Sequence, residues 1–304
     1  MTALTITHTS AEGPLIDGTA KGDGSADALK CHGWRWGRSI GCWFIPRSRD
    51  AAPNRAKIGA TADALRAAGF EVELDIDARP RDGAAVEADA VARSAERAER
   101  LDARAERHQD ASDAAYGRVR AIGDGIPFGQ PILAGHHSQA RAERDARRMR
   151  EGMDRSVSEA DAASDARRRA SIAKSAEAHR NAPVRVGNRI DRARVELRRY
   201  ERAIERAELR GTAADAPHML TLTEHREHLA AELAYWQSVR AAQIENGTVR
   251  DYGPHNVAKG DAVKIRGRWD RVVRANAKSV TTQSSIVAWE MRYPWHEVTD
   301  HRSA

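Results

Sequence analysis

Between Ala84 and Ile122 the chain has no proline and a single glycine, Gly117, and it is dominated by Ala, Arg and Glu. A run of strong helix formers this long forms one extended helix. Small apolar residues recur at Ala84, Ala88, Val91, Ala95, Ala98, Leu101 and Ala105, then at Ala115, Val119 and Ile122. Steps alternating between three and four residues place them in a narrow seam. Alanine permits close helix approach but buries little area, so packing per turn is weak. A second helix is expected from about Ser138 to Arg180, with Met149, Met153, Val157 and Ala160 in its seam. Two antiparallel helices are the simplest arrangement of this pair.

The connection, residues 123–138, is punctuated by Gly and Pro yet carries Ile126, Phe128, Ile132 and Leu133. That mixture predicts an ordered, packed loop. His136, His137 and Ser138 fall at the start of the second helix, with Arg141 and Arg144 one and two turns on. Free N–H groups at a helix start, beside His and Arg, could hold an anion. The histidines could equally close the loop by hydrogen bonding. A metal is the third reading, but no carboxylate cluster accompanies them at a motif-like spacing.

After Pro183 a heptad follows: Ile190, Ala193, Leu197, Tyr200, Ile204 and Ala207. Gly211 and Pro217 break it, and Leu222, Leu229, Leu233, Trp236 and Val239 continue on a partner helix. This reads as an αα-hairpin, within one chain or shared in a dimer. The expected class is α+β in four segments: a small ββαββαβ domain over 1–80, a helical hairpin over 84–182, an αα-hairpin over 184–246, and a small SH3-like β-barrel over 254–304.

In the N-terminal domain Leu4-Thr5-Ile6-Thr7 alternates as a strand. Ser25 is a credible N-cap for a short helix ending near Gly33. Trp34-Arg35-Trp36 and Cys42-Trp43-Phe44-Ile45 flank a glycine turn as a hairpin. Pro53-Asn54 opens a helix to Ala68, and Phe70 to Asp77 returns as a strand. Lys30, Arg35, Arg38, Arg47, Arg49, Arg55 and Lys57 lie within this stretch against one acid, Asp50. Cations hold phosphates and flat rings stack on bases, so Lys30, Arg35, Trp36, Arg38, Trp43, Arg47 and Arg49 are candidate nucleic-acid contacts. The alternative is that the tryptophans form the core of a tiny domain. On a strand Trp34 and Trp36 share one face and Arg35 takes the other.

Residues 247–304 hold ten Lys/Arg against six Asp/Glu, a net of +4 of the chain's +6. Val263-Lys-Ile265, Arg271-Val-Val-Arg274, Lys278-Ser-Val280 and Ile286-Val-Ala-Trp289 read as short strands, with an irregular end from Pro294. Their hairpins present Lys264, Arg266, Arg268, Trp269 and Arg271 as further candidate nucleic-acid contacts. Protein binding is the competing role for such a barrel.

The segments Leu29-Lys-Cys-His-Gly-Trp-Arg-Trp and Gly-Cys-Trp-Phe-Ile-Pro resemble a module common in plasmid and phage proteins, and their layout is similar to the HARP domain of DNA-annealing helicases. Gly-Gln-Pro-Ile-Leu-Ala-Gly-His-His-Ser, followed by an Arg-rich helix with Met153, resembles the bacterial family known only as domain of unknown function 3560. That resemblance implies a phage, plasmid or integrative-element setting over most of the chain and supplies no catalytic residues. The start of the last domain, from Lys259-Gly-Asp to Arg268-Trp269, is similar to KOW modules of ribosomal and transcription factors.

The beginning of the chain lacks the features of a signal peptide, and no apolar run approaches a membrane span. A cytoplasmic protein with reduced Cys31 and Cys42 is expected, with no cofactor and no metal. No P-loop, nucleophile-elbow, zincin or paired C-x-x-C motif occurs. The leading reading is a non-enzymatic accessory protein that binds DNA or RNA. The alternatives are a coiled-coil scaffold that dimerises or modulates a host protein, and a phosphoester-processing enzyme centred on His136, His137 and Arg141.

Overall fold

The structure is a computed structural model and describes residues 3–127, 131–284 and 289–304. It divides into two compact units, one made of Met1–Glu87 with Asn181–Ala304 and the other of Ala88–Arg180.

The first unit begins with a mixed sheet. Its elements are β1 (Ala3–Thr9), β2 (Gly13–Asp17), α1 (Ser25–Cys31), β3 (Arg35–Gly37), β4 (Cys42–Phe44), α2 (Arg55–Ala67) and β5 (Glu71–Ile76). The strand order is β3-β4-β2-β1-β5, with β1 and β5 parallel and the other pairs antiparallel. Alternation along β1 turns Leu4, Ile6 and His8 inward. Leu4 and Ile6 meet Ile58, Ala62 and Leu65 of α2, which recur at helical spacing and are buried. Asn54 caps α2, its Oδ1 accepting from Lys57 N at 3.0 Å. Gly69, at φ 91, ends it. Ser25 is not the N-cap of α1. Gly24 takes that place in a left-handed conformation. The Asp23 carboxylate accepts from both the Ser25 N–H and its hydroxyl, so Ser25 becomes the first helical residue.

Helices α6 (Pro183–Leu209) and α7 (Pro217–Glu245) both start with proline, whose fixed φ suits a first turn. Ile204 and Ala207 pack on Met219 and Leu222 at one end, and Val186 and Ile190 on Trp236 at the other. Helix α7 also faces the first sheet. Glu224 receives a bidentate pair from Arg55, and His228 Nε2 lies 2.8 Å from the Ala78 carbonyl. Contacts on more than one side explain why α7 buries the polar Glu224 and Gln243 beside its apolar residues.

The C-terminal sheet comprises β6 (Ala262–Ile265), β7 (Arg268–Ala275), β8 (Ser279–Gln283), β9 (Glu290–Pro294) and β10 (Val298–Arg302) in the order β10-β6-β7-β8-β9. A 3-10 turn, Trp295–Glu297, precedes β10. Where an irregular end was expected, β10 therefore returns to pair with β6. Among the described residues no ladder joins β9 to β10, so the sheet is not closed into a barrel. Val263, Ile265, Val272, Val280, Tyr293 and Val298 form its core. Of the expected strand at 286–289, residues 286–288 lie outside the described residues; Trp289 is 65% exposed.

The second unit contains most of α3 (Gly83–Asp124), with α4 (Gln139–Lys174) and the short α5 (Ala176–Arg180). The second long helix thus stops at Lys174, with Ser175 as its C-cap, instead of running through to Arg180. Ser112 Oγ donates to the Ser156 carbonyl at 2.8 Å, and Ser94 Oγ to the Ala173 carbonyl at 2.9 Å, which fixes α3 and α4 as antiparallel. Ala98, Leu101, Ala105, Ala115 and Val119 of α3 are buried as the seam requires. The expected seam of α4 is displaced. Met153, Val157 and Ala160 face out, while Ser156, Ala163, Ala166, Ala170 and Ala173 are buried. Close approach selects the small side chains: a Cβ on Gly152 would stand 2.4 Å from Val119 Cγ2.

Candidate nucleic-acid interface

The outer face of the C-terminal sheet is set by register. Val263, Ile265, Asp270 and Val272 point inward, so Lys264, Trp269 and Arg271 point out. Lys264 stands opposite Trp269, and Ala262 opposite Arg271. On the other side of β6, Asp300 stands opposite Lys264 and Arg302 opposite Ala262. Two rows cross the sheet: Arg302-Ala262-Arg271-Gln283-Glu290, which ends on a carboxylate, and Asp300-Lys264-Trp269. The Arg302 guanidinium reaches across the rows to lie 4.1 Å from the centre of the Trp269 ring. Among the described residues no carboxylate comes within ion-pair distance of Lys264, Arg271 or Arg302. Arg302 does not figure among the residues read from the sequence. Its contact depends on β10 folding back on β6, which no local pattern announces.

Arg266 and Arg268 sit at the β6–β7 turn, where Arg266 takes a positive φ of 51 before Gly267. Arg266 is less available than its neighbours, because its Nε and Nη2 donate to Glu297 at 2.9 and 3.3 Å. That ion pair raises its already high pKa and occupies its fork. Arg268 is exposed.

In the N-terminal domain the three tryptophans part company. Trp34 is 2% exposed and donates from Nε1 to Thr61 Oγ1 at 3.0 Å. Trp43 is a core residue at 9% exposed, which corrects its reading as a base-stacking contact. So small a sheet needs large rings to fill its core. Trp36, directly opposite Trp43 on the edge strand β3, remains 47% exposed, its ring at 70° to that of Trp43 with the centroids 5.9 Å apart. Arg35 and Arg38 are exposed on the same hairpin. Arg47 and Arg49 are exposed on the loop after β4, and Lys30 lies on α1, 3.8 Å from Asp27. The hairpin therefore carries Arg35, Trp36 and Arg38, with Arg35 on the face of β3 opposite Trp36 and Arg38 in the turn that follows, and the remaining cations come from other elements.

His136, His137, Ser138 and Arg141 are all well exposed, apart from half-buried Ser138. The two rings lie 4.0 Å apart, and His136 Nδ1 is 2.8 Å from Ser138 Oγ. Arg141 extends along α4 to within 3.8 Å of Asp145. Ile126, Ile132 and Leu133 are 41%, 49% and 51% exposed, so the described part of the loop is not packed as expected; Phe128 lies outside the described residues. Among the described residues no group of three metal-ligating side chains occurs, here or elsewhere. Cys31 and Cys42 are free thiols, and burial raises the pKa of Cys42. No helix among the described residues is long and apolar enough to cross a membrane.

A polar cluster missed in the sequence lies where β1 and β5 end. His8 is 1% exposed, and neither ring nitrogen has a hydrogen-bond partner among the described residues. Burial holds its pKa below the ordinary value, and the nearby His228 acts in the same direction. Arg55 and Glu224 are its other charged neighbours, together with Asp77.

Residues 89–210 match the family model described as "Domain of unknown function (DUF3560)". The match starts in α3 and ends just after α6, so both sheets lie outside it. No curated protein and no solved structure matches the chain.

Proposed function

We propose that this chain is a non-enzymatic, cytoplasmic nucleic-acid-binding accessory protein of a phage, plasmid or integrative element. The observation that carries the reading is the outer face of the C-terminal sheet, where Lys264, Arg271 and Arg302 stand around Trp269, with Asp300 and Glu290 as acids on the same face among the described residues. Cations positioned around a ring suit a polyanion with flat bases. The exposed edge hairpin, with Trp36 on one face, Arg35 on the other and Arg38 at its turn, is the second contact. Two contacts on one chain raise affinity through effective concentration when the polymer reaches both. An SH3-like, KOW-type identity for the last domain is supported by its meander, its 3-10 turn and the returning strand β10. The ββαββαβ reading of the first domain rests on its element order. The mobile-element setting rests on the family resemblance of the helical middle.

The test is a mobility-shift titration of the full chain with charge reversals. Lys264→Glu, Arg271→Glu and Arg302→Glu together should abolish most binding, and Arg35→Glu with Arg38→Glu should weaken it. Binding indifferent to all five substitutions would remove the proposal.

A second reading, a scaffold that dimerises or docks a host protein, is favoured by the apolar side chains that the helical pair leaves out. Tyr116 is 52% exposed, Val157 54% and Ile172 61%. Sedimentation of the full chain, with Val157→Lys as control, decides whether these residues mediate self-association.

A further inference from the structure

A cleft of about 740 Å³ opens between α6 and the loops of the C-terminal domain. It is separate from the sheet face and from the N-terminal hairpin. Its size is that of a small-molecule site. Among the described residues, Arg194, Arg198, Arg240 and Lys278 line it against the acids Asp191 and Asp251. Asp191 is already shared, 3.8 Å from Arg194 and 3.5 Å from His296 Nδ1. Arg198 and Lys278 have no carboxylate within ion-pair distance among the described residues.

Arg240 is the informative member. Its guanidinium is partly withdrawn from water, yet its hydrogen bonding among the described residues is one long contact, Nη1 to the Pro183 carbonyl at 3.5 Å. Burial holds its pKa below the usual value, only partly offset by Asp251. A guanidinium has five N–H donors, and a half-buried one with a single long protein contact, set in a cleft with two further cations that no carboxylate pairs, suits an anion. His296, on the cleft wall, has a lowered pKa through burial, with Arg240 adding to the effect. Its ring is held by Asn188 Oδ1 at 2.9 Å from Nε2. The wall depends on a missing side chain: a Cβ on Gly187 of α6 would stand 2.2 Å from His296 Cγ.

The rest of the lining is less polar. Val195 is 61% exposed on a helix face otherwise rich in arginine, and Trp295 is half-buried, its Nε1 donating to the Asn276 carbonyl at 2.9 Å. We infer that this cleft binds a phosphomonoester attached to a planar ring, with Arg240, Arg198 and Lys278 on the phosphate and Val195 and Trp295 against the ring. This chemistry is offered by a free nucleotide and by the 5′-phosphorylated end of a strand.

The test is calorimetric titration of the full chain with AMP, adenosine, and a short oligonucleotide bearing either a 5′-phosphate or a 5′-hydroxyl. AMP should bind and adenosine should not. Arg240→Gln, and separately Lys278→Gln on the exposed rim, should each weaken AMP about tenfold, the usual scale for losing one charge-assisted contact. The Lys278 variant guards against misfolding, and unchanged thermal melting should accompany it. Lys264→Glu with Arg271→Glu should leave AMP binding intact, which separates this site from the proposed nucleic-acid face. Preference for the 5′-phosphorylated strand over AMP would name the strand end as source, and the converse would name the nucleotide. Equal heats for AMP and adenosine, no binding of any probe, or AMP binding unchanged in both cleft variants would overturn the inference.

Discussion

The Arg55–Glu224 pair joins α2 of the N-terminal domain to α7, and its asymmetry makes a sharp test. Three contacts, of 2.6, 2.9 and 3.0 Å, fix a bidentate geometry. The Glu224 side chain is 11% exposed and that of Arg55 29%. Removing one partner of a buried pair costs roughly 3–5 kcal/mol, because the other charge is left desolvated. Arg55→Met orphans the more buried group and should cost about 3 kcal/mol. Glu224→Gln orphans a partly hydrated cation and keeps one acceptor, so about 1–2 kcal/mol is expected. Arg55→Met with Glu224→Leu should lie close to the parent, since apolar replacement of both charges is often neutral. The assay is urea unfolding followed by tryptophan fluorescence. All seven tryptophans lie in the unit that holds this pair, so the signal reports that unit without the long helical pair. If both single variants cost under about 0.5 kcal/mol, or if the double variant is as damaged as the sum, the burial argument is wrong.

Acid should destabilise the same unit. His8 and His296 have native pKa values below the unfolded value near 6.5, so the native state binds fewer protons. Stability is full above that pH and falls as pH drops through it, by up to about 1.4 kcal/mol per unit for each histidine. Urea midpoints at pH 7.5 and 5.5 should show this fall, and His8→Leu should remove its share; equal midpoints in the parent would contradict it. Gly187→Ala should lower the fluorescence-detected midpoint, because contact with the His296 ring outweighs the helix-propensity gain of about 1 kcal/mol. A stabilised Ala variant would show that the 3-10 turn yields freely. Trp34→Leu should cost roughly 3 kcal/mol in the same assay and Trp36→Ala about 0.5 kcal/mol or less. Only the Trp36 change should weaken nucleic-acid binding with folding intact.

What was legible in the sequence is what local rules govern. The mixed α+β class, the sheets at both ends and the helical middle follow from periodicity and punctuation: Asn54 before α2, Gly69 after it, and Pro183 and Pro217 opening α6 and α7. The seam of α4 was not legible. Hydrophobicity points to Met153 and Val157, whereas helix spacing set by Gly152 and Ser156 admits only small side chains. Trp43 is chemically the same as Trp36, and only the sheet order separates a core ring from an exposed one. Arg302 on Trp269, Arg55 on Glu224 and Gly187 under His296 are pairings distant in sequence. The residue pattern around each gives no sign of its partner.

The most direct test of the central claim is fluorescence anisotropy of labelled single-stranded, duplex and forked DNA and RNA, titrated with salt. For the parent chain log K should fall linearly with log salt. For duplex the slope should be about 2–3 smaller in magnitude when Lys264, Arg271 and Arg302 become Ala, since each phosphate contact contributes about 0.9. No binding at about 50 mM salt, or a slope unchanged by the three substitutions, would contradict the proposal that this sheet face holds nucleic acid.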